Sequence, residues 1–373
     1  MTKQIAKTLR CVIAGQLPPP VHGQNLATER TFNYLRKCHD LQVDFLSLNF
    51  NKELGSIRKP SFRKLLELLK AIAALFQLRL QGKIDVLIYP NSGPHLVPLI
   101  RDFLLLPPVL LLSQRVYIIF HPGGMAEFLP TLNPLLRWLT PLLHRTVFGG
   151  IVFTEFGKRD PRSLGISNIV CIPHSIEDVF DEKKVQRRAL PELPKLLSVG
   201  QLATVKGTDA LIRAVAELRE RGIHFELHLL GEPAPAHTWE DFQSIVKEHE
   251  LQQTVIFHKK LIKNEKWELY AQSELFVFPS IAMESFGLVI IEAMMWELPV
   301  ILTDWRANRE ILGPSPGGIC FSFGNDLANG IATALSEAYA KREQWPIWGK
   351  QNRRRFLELY AGHRFEETLL AEL

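Results

Sequence analysis

Residues 278–299 read FPSIAMESFGLVIIEAMMWELP and contain, in order, the end of an apolar strand, a short loop and the start of a helix. The strand ends at Pro279, the loop carries Glu284, and the helix begins near Gly287. Backbone N–H groups at such a helix start, with the positive end of the helix dipole behind them, favour a bound phosphate. Glu292 lies within the apolar run Val289–Met295, and because carboxylates are rarely buried without a partner, this favours a functional role over a solvated surface.

The same alternation of apolar strand and periodic helix runs through the chain. Continuous runs of Val, Ile, Leu and Phe are typical of parallel strands covered on both faces. Strands are predicted at Leu9–Gly15, Leu41–Leu48, Ile84–Pro90, Arg115–His121, Gly150–Thr154, Asn168–Pro173, Leu196–Gly200, His224–Gly231, Thr254–Lys259, Leu275–Pro279 and Val300–Thr303. Helices are predicted at Gln24–Lys37, Phe62–Leu80, Asn133–Leu143, Asp209–Arg221, Trp239–Glu250, Glu265–Gln272, Leu288–Trp296 and Asp326–Tyr339, with two short helices after them.

A change in the sequence pattern after residue 176 divides the chain in two. Residues 177–188 are charged and lack an apolar period, and Pro191 and Pro194 follow them. We therefore predict an α/β protein of two facing Rossmann-like domains with parallel sheets, over residues 1–178 and 195–345, joined by a linker over 179–194. Helices in 346–373 are expected to pack back toward the first domain. A ligand is expected at the carboxyl ends of the strands, in the cleft between the domains.

The composition is that of an ordinary globular protein. The chain has 373 residues, of which 46% are hydrophobic and 22% charged, and this argues against disorder and coiled coil. Its four cysteines are far apart and form no CxxC pair, so we expect neither a disulfide framework nor structural zinc, and a reducing compartment fits best. We expect no signal peptide. The apolar stretch Leu96–Phe120 is interrupted by Arg101, Asp102 and prolines, so we predict no transmembrane helix.

The positive charge is concentrated in the first half of the chain. Residues 1–180 carry 21 Lys and Arg against 12 Asp and Glu, whereas the remainder carries 23 against 27. Basic residues border or interleave the apolar helix within 58–83, which suits peripheral contact with an anionic membrane, although a crossover helix with a solvated basic face explains the same pattern. No helix-turn-helix, zinc finger or RNP-like motif is present in the sequence, so we predict no nucleic-acid partner.

Several segments together resemble one enzyme family. The pattern E-S-F-G-L-x-x-x-E-A-M at 284–294 resembles the C-terminal signature of retaining GT-B glycosyltransferases of family 4, the group 1 type. Four further parts of the chain resemble segments of this family and occur in the same order. They are the loop Gly15–Gly23, the segment Phe120–Gly123, the turn Ile172–Ile176, and Val199–Leu202 with Lys206-Gly207. The resemblance covers nearly the whole chain and implies an acceptor-side first domain and a second domain that binds a nucleotide-sugar.

The resemblance also implies roles for particular residues. The residue matching Glu284 holds sugar hydroxyls and the one matching Glu292 holds the ribose, tasks that suit acceptor-only carboxylates. Lys206 would lie against the diphosphate and stabilise the charge that grows as the glycosidic bond breaks. His121 would position the sugar or the acceptor, while the leaving phosphate takes the acceptor's proton. The expected catalytic residues are Glu284, Lys206 and His121, and the expected donor-binding residues are Glu292, Gln201, Ser285, Phe286, Gly287, Leu288, Gly23 and Gly15, with His22 as a further candidate contact.

The chain also departs from the family pattern. Gln201 stands where the family usually has an arginine, and a neutral amide makes no charge-assisted bidentate contact with a phosphate. Glu297 and the segment Trp305-Arg306-Ala307 stand where the family has glycines; Arg306 is either a replacement phosphate ligand or a surface arginine. These departures keep two alternatives open: a GT-B-like protein that binds sugar nucleotides with little or no turnover, and a GT-B sugar-nucleotide epimerase.

The remaining expectations concern cofactors, partners and location. The sequence has no D-x-D, H-E-x-x-H or EF-hand spacing, so we predict no metal site, and enzymes of this type need no cofactor, the nucleotide-sugar being a substrate. The predicted function is transfer of a hexosyl group, with retention, from a nucleotide-sugar to a saccharide or lipid-linked acceptor in polysaccharide or glycolipid synthesis. We expect a cytoplasmic protein that approaches the inner face of a membrane peripherally.

Overall fold

The computed structural model describes residues 9–18, 23–49, 62–185, 190–259, 261, 264–314 and 317–373. These residues form two compact units. The first contains residues up to Pro173 together with Met283–Ser285 and Phe365–Leu373, and the second contains His174–Ala282 and Phe286–Arg364. Each unit has its own six-stranded sheet. His22 and residues 58–61, which figure in the predictions above, lie outside the described residues.

The sheet of the first unit is entirely parallel, with strand order β2-β1-β3-β4-β5-β6. Its strands are β1 (Leu9–Gly15), β2 (Leu41–Ser47), β3 (Ile84–Pro90), β4 (Ser113–Ile119), β5 (Gly149–Val152) and β6 (Ile169–Cys171). The helices that precede or follow them are α1 (Gly23–Leu35), α2 (Phe62–Leu80), α3 (Leu96–Leu112), α4 (Met125–Phe128), α5 (Pro134–His144) and α6 (Arg159–Ser163). Strands β1, β3 and β4 each contain a fully apolar run, over residues 11–15, 86–90 and 116–119, and these runs are buried, as expected for parallel strands covered on both faces.

The sheet of the second unit is also parallel, with strand order β12-β11-β10-β7-β8-β9. Its strands are β7 (Lys195–Val199), β8 (Glu226–Leu230), β9 (Val255–His258), β10 (Leu275–Phe278), β11 (Val300–Thr303) and β12 (Gly318–Phe321). Its helices are α7 (Thr208–Glu220), α8 (Trp239–Glu248), α9 (Asn264–Gln272), α10 (Leu288–Met295), α11 (Asn308–Leu312), α12 (Leu327–Ala340) and α13 (Trp345–Leu359), and α14 (Arg364–Glu372) ends the chain.

The predicted fold class is confirmed, since both units are parallel sheets with flanking helices. All eleven predicted strands are present within two residues at each end. Five elements were not predicted, namely the helices α3, α4, α6 and α11 and the strand β12. Helix α3 contains Pro107 and Pro108 in its interior, and strand β12 is a four-residue edge strand of the sequence GICF, too short to show a period. Within the residues that the structure describes, no helix is long and apolar enough to span a membrane.

The residues around the predicted linker belong to the second compact unit. Arg353 on α13 makes a two-pronged ion pair with Asp178, at 2.8 and 2.7 Å, and its guanidinium lies over the ring of Phe180. The division between the compact units falls after Pro173. At the other end of the chain, Phe365–Leu373 group with the first unit, where Arg30 on α1 pairs with the fully buried Glu366 at 2.7 Å.

Candidate active site

The site in the second unit is built on the central strands of its sheet. Chain order reverses at β7, which lies between β10 and β8, and parallel α/β sheets bind ligands beyond the carboxyl ends of their strands at such a switch point. The segments that follow β7, β10 and β11 therefore define the candidate site. They carry most of the predicted donor-binding residues.

Lys206 lies in a short turn, Thr204–Lys206, between β7 and α7. Gly207 ends this turn with φ +74°, and a Cβ atom at this position would lie 2.5 Å from the carbonyl oxygen of Pro279. The backbone N–H of Ile281 donates to the carbonyl of Val205 at 2.9 Å. The close approach at Gly207 and this hydrogen bond together hold the backbone of Lys206 beside the end of β10.

Gln201 is exposed at the end of β7, directly after Gly200. Beyond it, Leu202 forms a parallel bridge with Pro233, and the N–H of Leu202 donates to the carbonyl of Glu232 at 2.9 Å. The segments after β7 and β8 therefore run side by side. Gln201 offers a neutral amide at this edge, as the sequence indicates.

Glu292 has a structural explanation for its apolar surroundings. On α10, its Oε1 accepts from Nζ of Lys266 at 2.6 Å and its Oε2 accepts from the hydroxyl of Tyr270 at 2.7 Å. Both partners lie on α9, and the carboxylate keeps 13% of its side-chain surface exposed. Burial, and then the neighbouring Glu292 carboxylate, raise the pKa of Tyr270 well above its ordinary value, so this phenol stays a donor. Because each carboxylate oxygen has a second lone pair, Glu292 is held in place and retains acceptor capacity.

The segment 283–285 belongs to the first unit and meets the loop after β4. The backbone of Glu284 forms an antiparallel bridge with that of Pro122, and the hydroxyl of Ser285 donates to the carbonyl oxygen of His121. The structure therefore brings two residues predicted to be catalytic, Glu284 and His121, into adjoining segments. The His121 ring lies 5.3 Å from the ring of Phe153, measured between centroids.

Sequence reasoning missed Asp160, which organises the loop after His121. Its buried carboxylate accepts from the N–H of Gly124 at 3.0 Å and from that of Ala126 at 2.9 Å. Asp160 lies among Lys158, Arg159 and Arg162, a context typical of a solvated turn, so its charge gave no signal. The one available cue was Pro161 directly after it, a residue common at helix starts.

The other predicted donor-binding residues lie at element ends. The ring of Phe286 is buried, and its centroid lies 5.4 Å from that of His174 and 5.9 Å from that of Tyr360. Gly287 and Leu288 begin α10. In the first unit, Gly15 ends β1 and accepts a hydrogen bond from the N–H of Leu48 at 2.7 Å, and Gly23 begins α1.

Within the described part of the chain, no group of three or more His, Cys, Asp or Glu side chains is arranged to hold a metal ion. Among the segments that follow β7, β10 and β11, up to Ala307, Lys and Arg occur in the sequence only at Lys206 and Arg306.

Two doubly wound parallel units, each with six strands, define this chain as a GT-B fold. In agreement, the chain superposes along 98% of its length on sucrose-phosphate synthase of Thermosynechococcus elongatus, with a TM-score of 0.78, 17% identity and 98% of that chain covered. It also superposes on the HepE protein of Anabaena in complex with UDP, with a TM-score of 0.71 and 13% identity, over 98% of this chain and all of that one.

The second half of the chain is also similar in sequence to known glycosyltransferases. Residues 179–353 match the family described as glycosyl transferases group 1. The alpha-D-kanosaminyltransferase of Streptomyces kanamyceticus is 23% identical over 224 residues, which are 57% of this chain and 56% of that protein. The chain spans about half the length of the curated relatives that it matches.

Proposed function

We propose that this protein transfers a hexosyl group from a nucleotide-sugar to an acceptor hydroxyl, with retention of the anomeric configuration. The observation that carries the proposal is the fixed position of Lys206 at the carboxyl end of the central strand β7. A lysine held there places a positive charge where a diphosphate leaving group gains negative charge, and such preorganised stabilisation is a large part of catalysis. The group 1 match and the UDP complex of a protein with the same fold support this reading.

The other residues take roles that fit their positions. Glu292, held by Lys266 and Tyr270, accepts hydrogen bonds from the ribose hydroxyls. The backbone around Gly287, at the start of α10, faces the phosphates, where N–H groups and the helix dipole favour anions. Glu284 accepts from hydroxyls of the transferred sugar. His121, whose loop Asp160 orders, positions the sugar or the acceptor.

Lys206→Ala tests this proposal, with Lys247→Ala as the matched control because Lys247 is an exposed lysine on α8. We expect Lys206→Ala to lower kcat by about 10²- to 10³-fold, the usual cost of removing one group that stabilises transition-state charge. Lys247→Ala should leave kcat unchanged. Release of nucleoside diphosphate from a panel of UDP-, GDP- and ADP-sugars, with and without acceptor extract, measures this. Full activity in the double variant Lys206→Ala, Glu292→Ala would exclude the proposed site.

The same assay separates the two alternatives. A protein that only binds sugar nucleotides would take up a donor without releasing nucleoside diphosphate, and Gln201 in place of a cation is the feature that favours it. An epimerase would convert the donor alone, with no acceptor. We propose that transfer requires no cofactor and no divalent ion, Lys206 supplying the charge; activity that survives EDTA would agree with this.

We propose further that the acceptor is a saccharide or a lipid-linked saccharide presented at the inner face of a membrane, in polysaccharide or glycolipid synthesis, and that α2 makes peripheral contact with that membrane. One face of α2 packs on the core through Leu68, Ala71 and Leu75. The opposite face carries a second apolar stripe with helical spacing, which is exposed to solvent. Its large members are Phe62, Leu65, Leu66, Leu69, Phe76 and Leu80.

Cations accompany this exposed stripe. Helix α2 contains Arg63, Lys64, Lys70 and Arg79 against the single acid Glu67, which pairs with Lys70 at 2.9 Å. An apolar stripe beside an excess of positive charge suits the boundary between acyl chains and anionic headgroups, where each cation near the surface contributes about 1 kcal/mol. An anionic bilayer is therefore the partner that fits both features of α2.

Vesicle binding tests this contact. We expect the wild type to sediment with vesicles that contain phosphatidylglycerol and much less with pure phosphatidylcholine. Leu69→Ser with Phe76→Ser should weaken binding at least about tenfold, because two exposed apolar side chains are lost from the contact. Ile347→Ser is the matched control, since Ile347 is 58% exposed on α13. Equal binding by wild type and the double variant would contradict the proposal.

A further inference from the structure

Three non-glycine residues in the described ranges have a left-handed backbone, and one of them lies at the candidate site. These are Glu250, Glu297 and Arg306, with φ values of 53°, 56° and 52°. A side chain in this region is strained, and glycine would avoid the strain. Arg306 follows β11 in the turn that leads into α11. Strain of this kind often occurs at functional sites, so a strained arginine at the candidate site indicates a role for its side chain.

Hydrogen bonds join the turn of Arg306 to the turn of Lys206 through the segment after β10. The hydroxyl of Thr303 donates to the carbonyl of Ser280 at 2.7 Å, and the indole N–H of Trp305 donates to that of Ala282 at 2.9 Å. On the other side, Ile281 is bonded to Val205, next to Lys206. The three segments thus form one connected layer at the carboxyl edge of the sheet.

The spacing of the strands allows Lys206 and Arg306 to reach one ligand. Strand β10 lies between β7 and β11, and two interstrand spacings of about 4.8 Å put the ends of the outer strands roughly 10 Å apart. Lysine and arginine side chains are each long enough to cover half of that distance. Residues 280–282 follow β10 and are bonded to both neighbouring turns, so a group the size of a diphosphate lying over this segment would be within reach of both.

The neighbouring arginine and acid of the same turn are engaged with each other. Arg309 makes two hydrogen bonds to the carboxylate of Asp304, at 3.0 and 2.7 Å. This pair neutralises the acid that precedes Arg306. Arg306 is half-buried and precedes α11, whereas Arg309 is exposed within the helix.

We propose that Arg306 binds the diphosphate of the donor and supplies the second positive charge of this site. The inference rests on the proposed function. Between Val199 and Lys206 the sequence carries no charge, and the exposed Gln201 offers only a neutral amide, so Lys206 is the sole cation of its segment. Arginine contacts phosphate oxygens through two parallel N–H groups, a contact that neither lysine nor glutamine makes. The strained backbone conformation of Arg306 is tolerated because it places this side chain at the edge of the sheet.

Calorimetric titration of the full chain with UDP, GDP and ADP tests the proposal, with the corresponding nucleosides as reference ligands. Arg306→Gln should lower the affinity for the tightest-binding of the three diphosphates by about 10- to 100-fold, the usual range for a hydrogen bond to a charged group. The affinity for the nucleoside should be unchanged. Adding Gln201→Arg to Arg306→Gln should recover part of the affinity, because it returns a cation to the segment after β7.

Arg306→Gly and Glu250→Gly separate binding from backbone strain. Each removes a side chain from a left-handed residue, and Glu250 is exposed between α8 and β9, at the amino edge of the sheet. Both variants should raise the midpoint of thermal unfolding, by about 2–4 °C. Only Arg306→Gly should lose affinity for the diphosphate.

The outcomes that would overturn the proposal are distinct from failure of the proposed function. Equal affinity of wild type and Arg306→Gln for the diphosphate would overturn it while leaving the proposed function intact. So would an equal loss for diphosphate and nucleoside, since Arg306 would then act only on the shape of the loop. A wild type that binds none of the three diphosphates would overturn the proposed function together with this inference.

Discussion

Gly207 shows how a residue without a side chain fixes the position of a charged neighbour. Its φ of +74° is unfavourable for other residues, and its Cα lies so near Pro279 that a Cβ would be 2.5 Å from the carbonyl oxygen. Both constraints act on the residue next to Lys206. A change at Gly207 should therefore affect stability and displace the proposed diphosphate ligand.

Gly207→Ala should destabilise the protein by about 2–4 kcal/mol, since it adds a clash to a strained backbone. Gly222→Ala is the matched control, because Gly222 has φ +77° with no atom within 4 Å of an added Cβ. It should cost only about 1 kcal/mol, the strain alone. Urea denaturation measures both, and equal losses in the two variants would show that the contact with Pro279 does not matter.

The sequence predicted the residues at strand ends better than it predicted their partners. Lys206, Glu284 and His121 follow apolar strands, so their placement at a carboxyl edge follows from the parallel topology alone. Lys266 and Tyr270, which hold Glu292, lie more than twenty residues before it, and no local pattern pairs them. Tertiary contacts of this kind appear only once the helices pack.

At the scale of elements, α3 is a helix that the sequence analysis did not predict. Proline inside a helix removes a backbone donor and usually costs about 3 kcal/mol, so Pro107 and Pro108 are unfavourable in a helix over 96–112. The helix forms because its burial outweighs this cost: Leu99, Leu105, Leu106 and Val109 are fully buried. By contrast, α2 was predicted to the residue because its core-facing positions keep a regular spacing. The sequence did not separate its buried stripe from its exposed stripe.

Strands β8 and β9 contribute a chain of ionisable side chains to the second sheet. His228 lies with Nε2 at 2.6 Å from an oxygen of Glu226 and with Nδ1 at 2.8 Å from Nε2 of His258. Burial lowers the pKa of both imidazoles, Glu226 opposes the shift in each, and the His228 charge lowers that of His258 further. Lys195, near Glu226, also lowers the pKa of His228.

The stability of the protein should therefore fall as the medium becomes acidic. In the unfolded chain these histidines titrate near pH 6.5, whereas in the folded chain they take up protons only at lower pH. Their contribution is present above about pH 6.5 and is lost as the pH falls toward the folded-state values. The double variant His228→Gln, His258→Gln should show a flatter fall in urea midpoint between pH 7 and 5. An unchanged slope would contradict the assignment.

At the scale of the whole molecule, the last residues of the chain stabilise the first unit. Glu366 is fully buried there, its partner Arg30 is 26% exposed, and Phe365 and Leu369 are buried beside it. Removal of one partner of a buried ion pair leaves an uncompensated charge. The charged pair therefore ties the chain end to α1.

Arg30→Met should destabilise the protein by about 2–3 kcal/mol, somewhat less than for a fully buried pair because Arg30 is partly exposed. Arg30→Met with Glu366→Gln should recover part of this loss, since the stranded charge is gone. Urea denaturation of the full chain provides the comparison. The single variant Glu366→Gln completes the comparison. If the loss of unfolding free energy in the double variant equalled the sum of the losses in the two single variants, the ion pair would carry no coupling energy.

The difference in charge between the two halves of the chain matches the different roles that we propose for the two units. The basic half contains α2, the proposed membrane contact, and the second half contains the proposed donor site, where positive charge is confined to particular side chains. Composition alone could not distinguish a membrane from nucleic acid. The exposed stripe on α2 is what favours the membrane.

Proton NMR of the anomeric region during the reaction shows directly whether a sugar leaves a nucleotide-sugar with retention at its anomeric carbon. With a donor that the protein binds and an acceptor extract, we expect the donor's anomeric signal to be replaced by that of a glycoside with the same configuration. Lys206→Ala should slow this replacement strongly. A glycoside of inverted configuration, or a donor that is altered equally without acceptor, would refute retaining transfer by this protein.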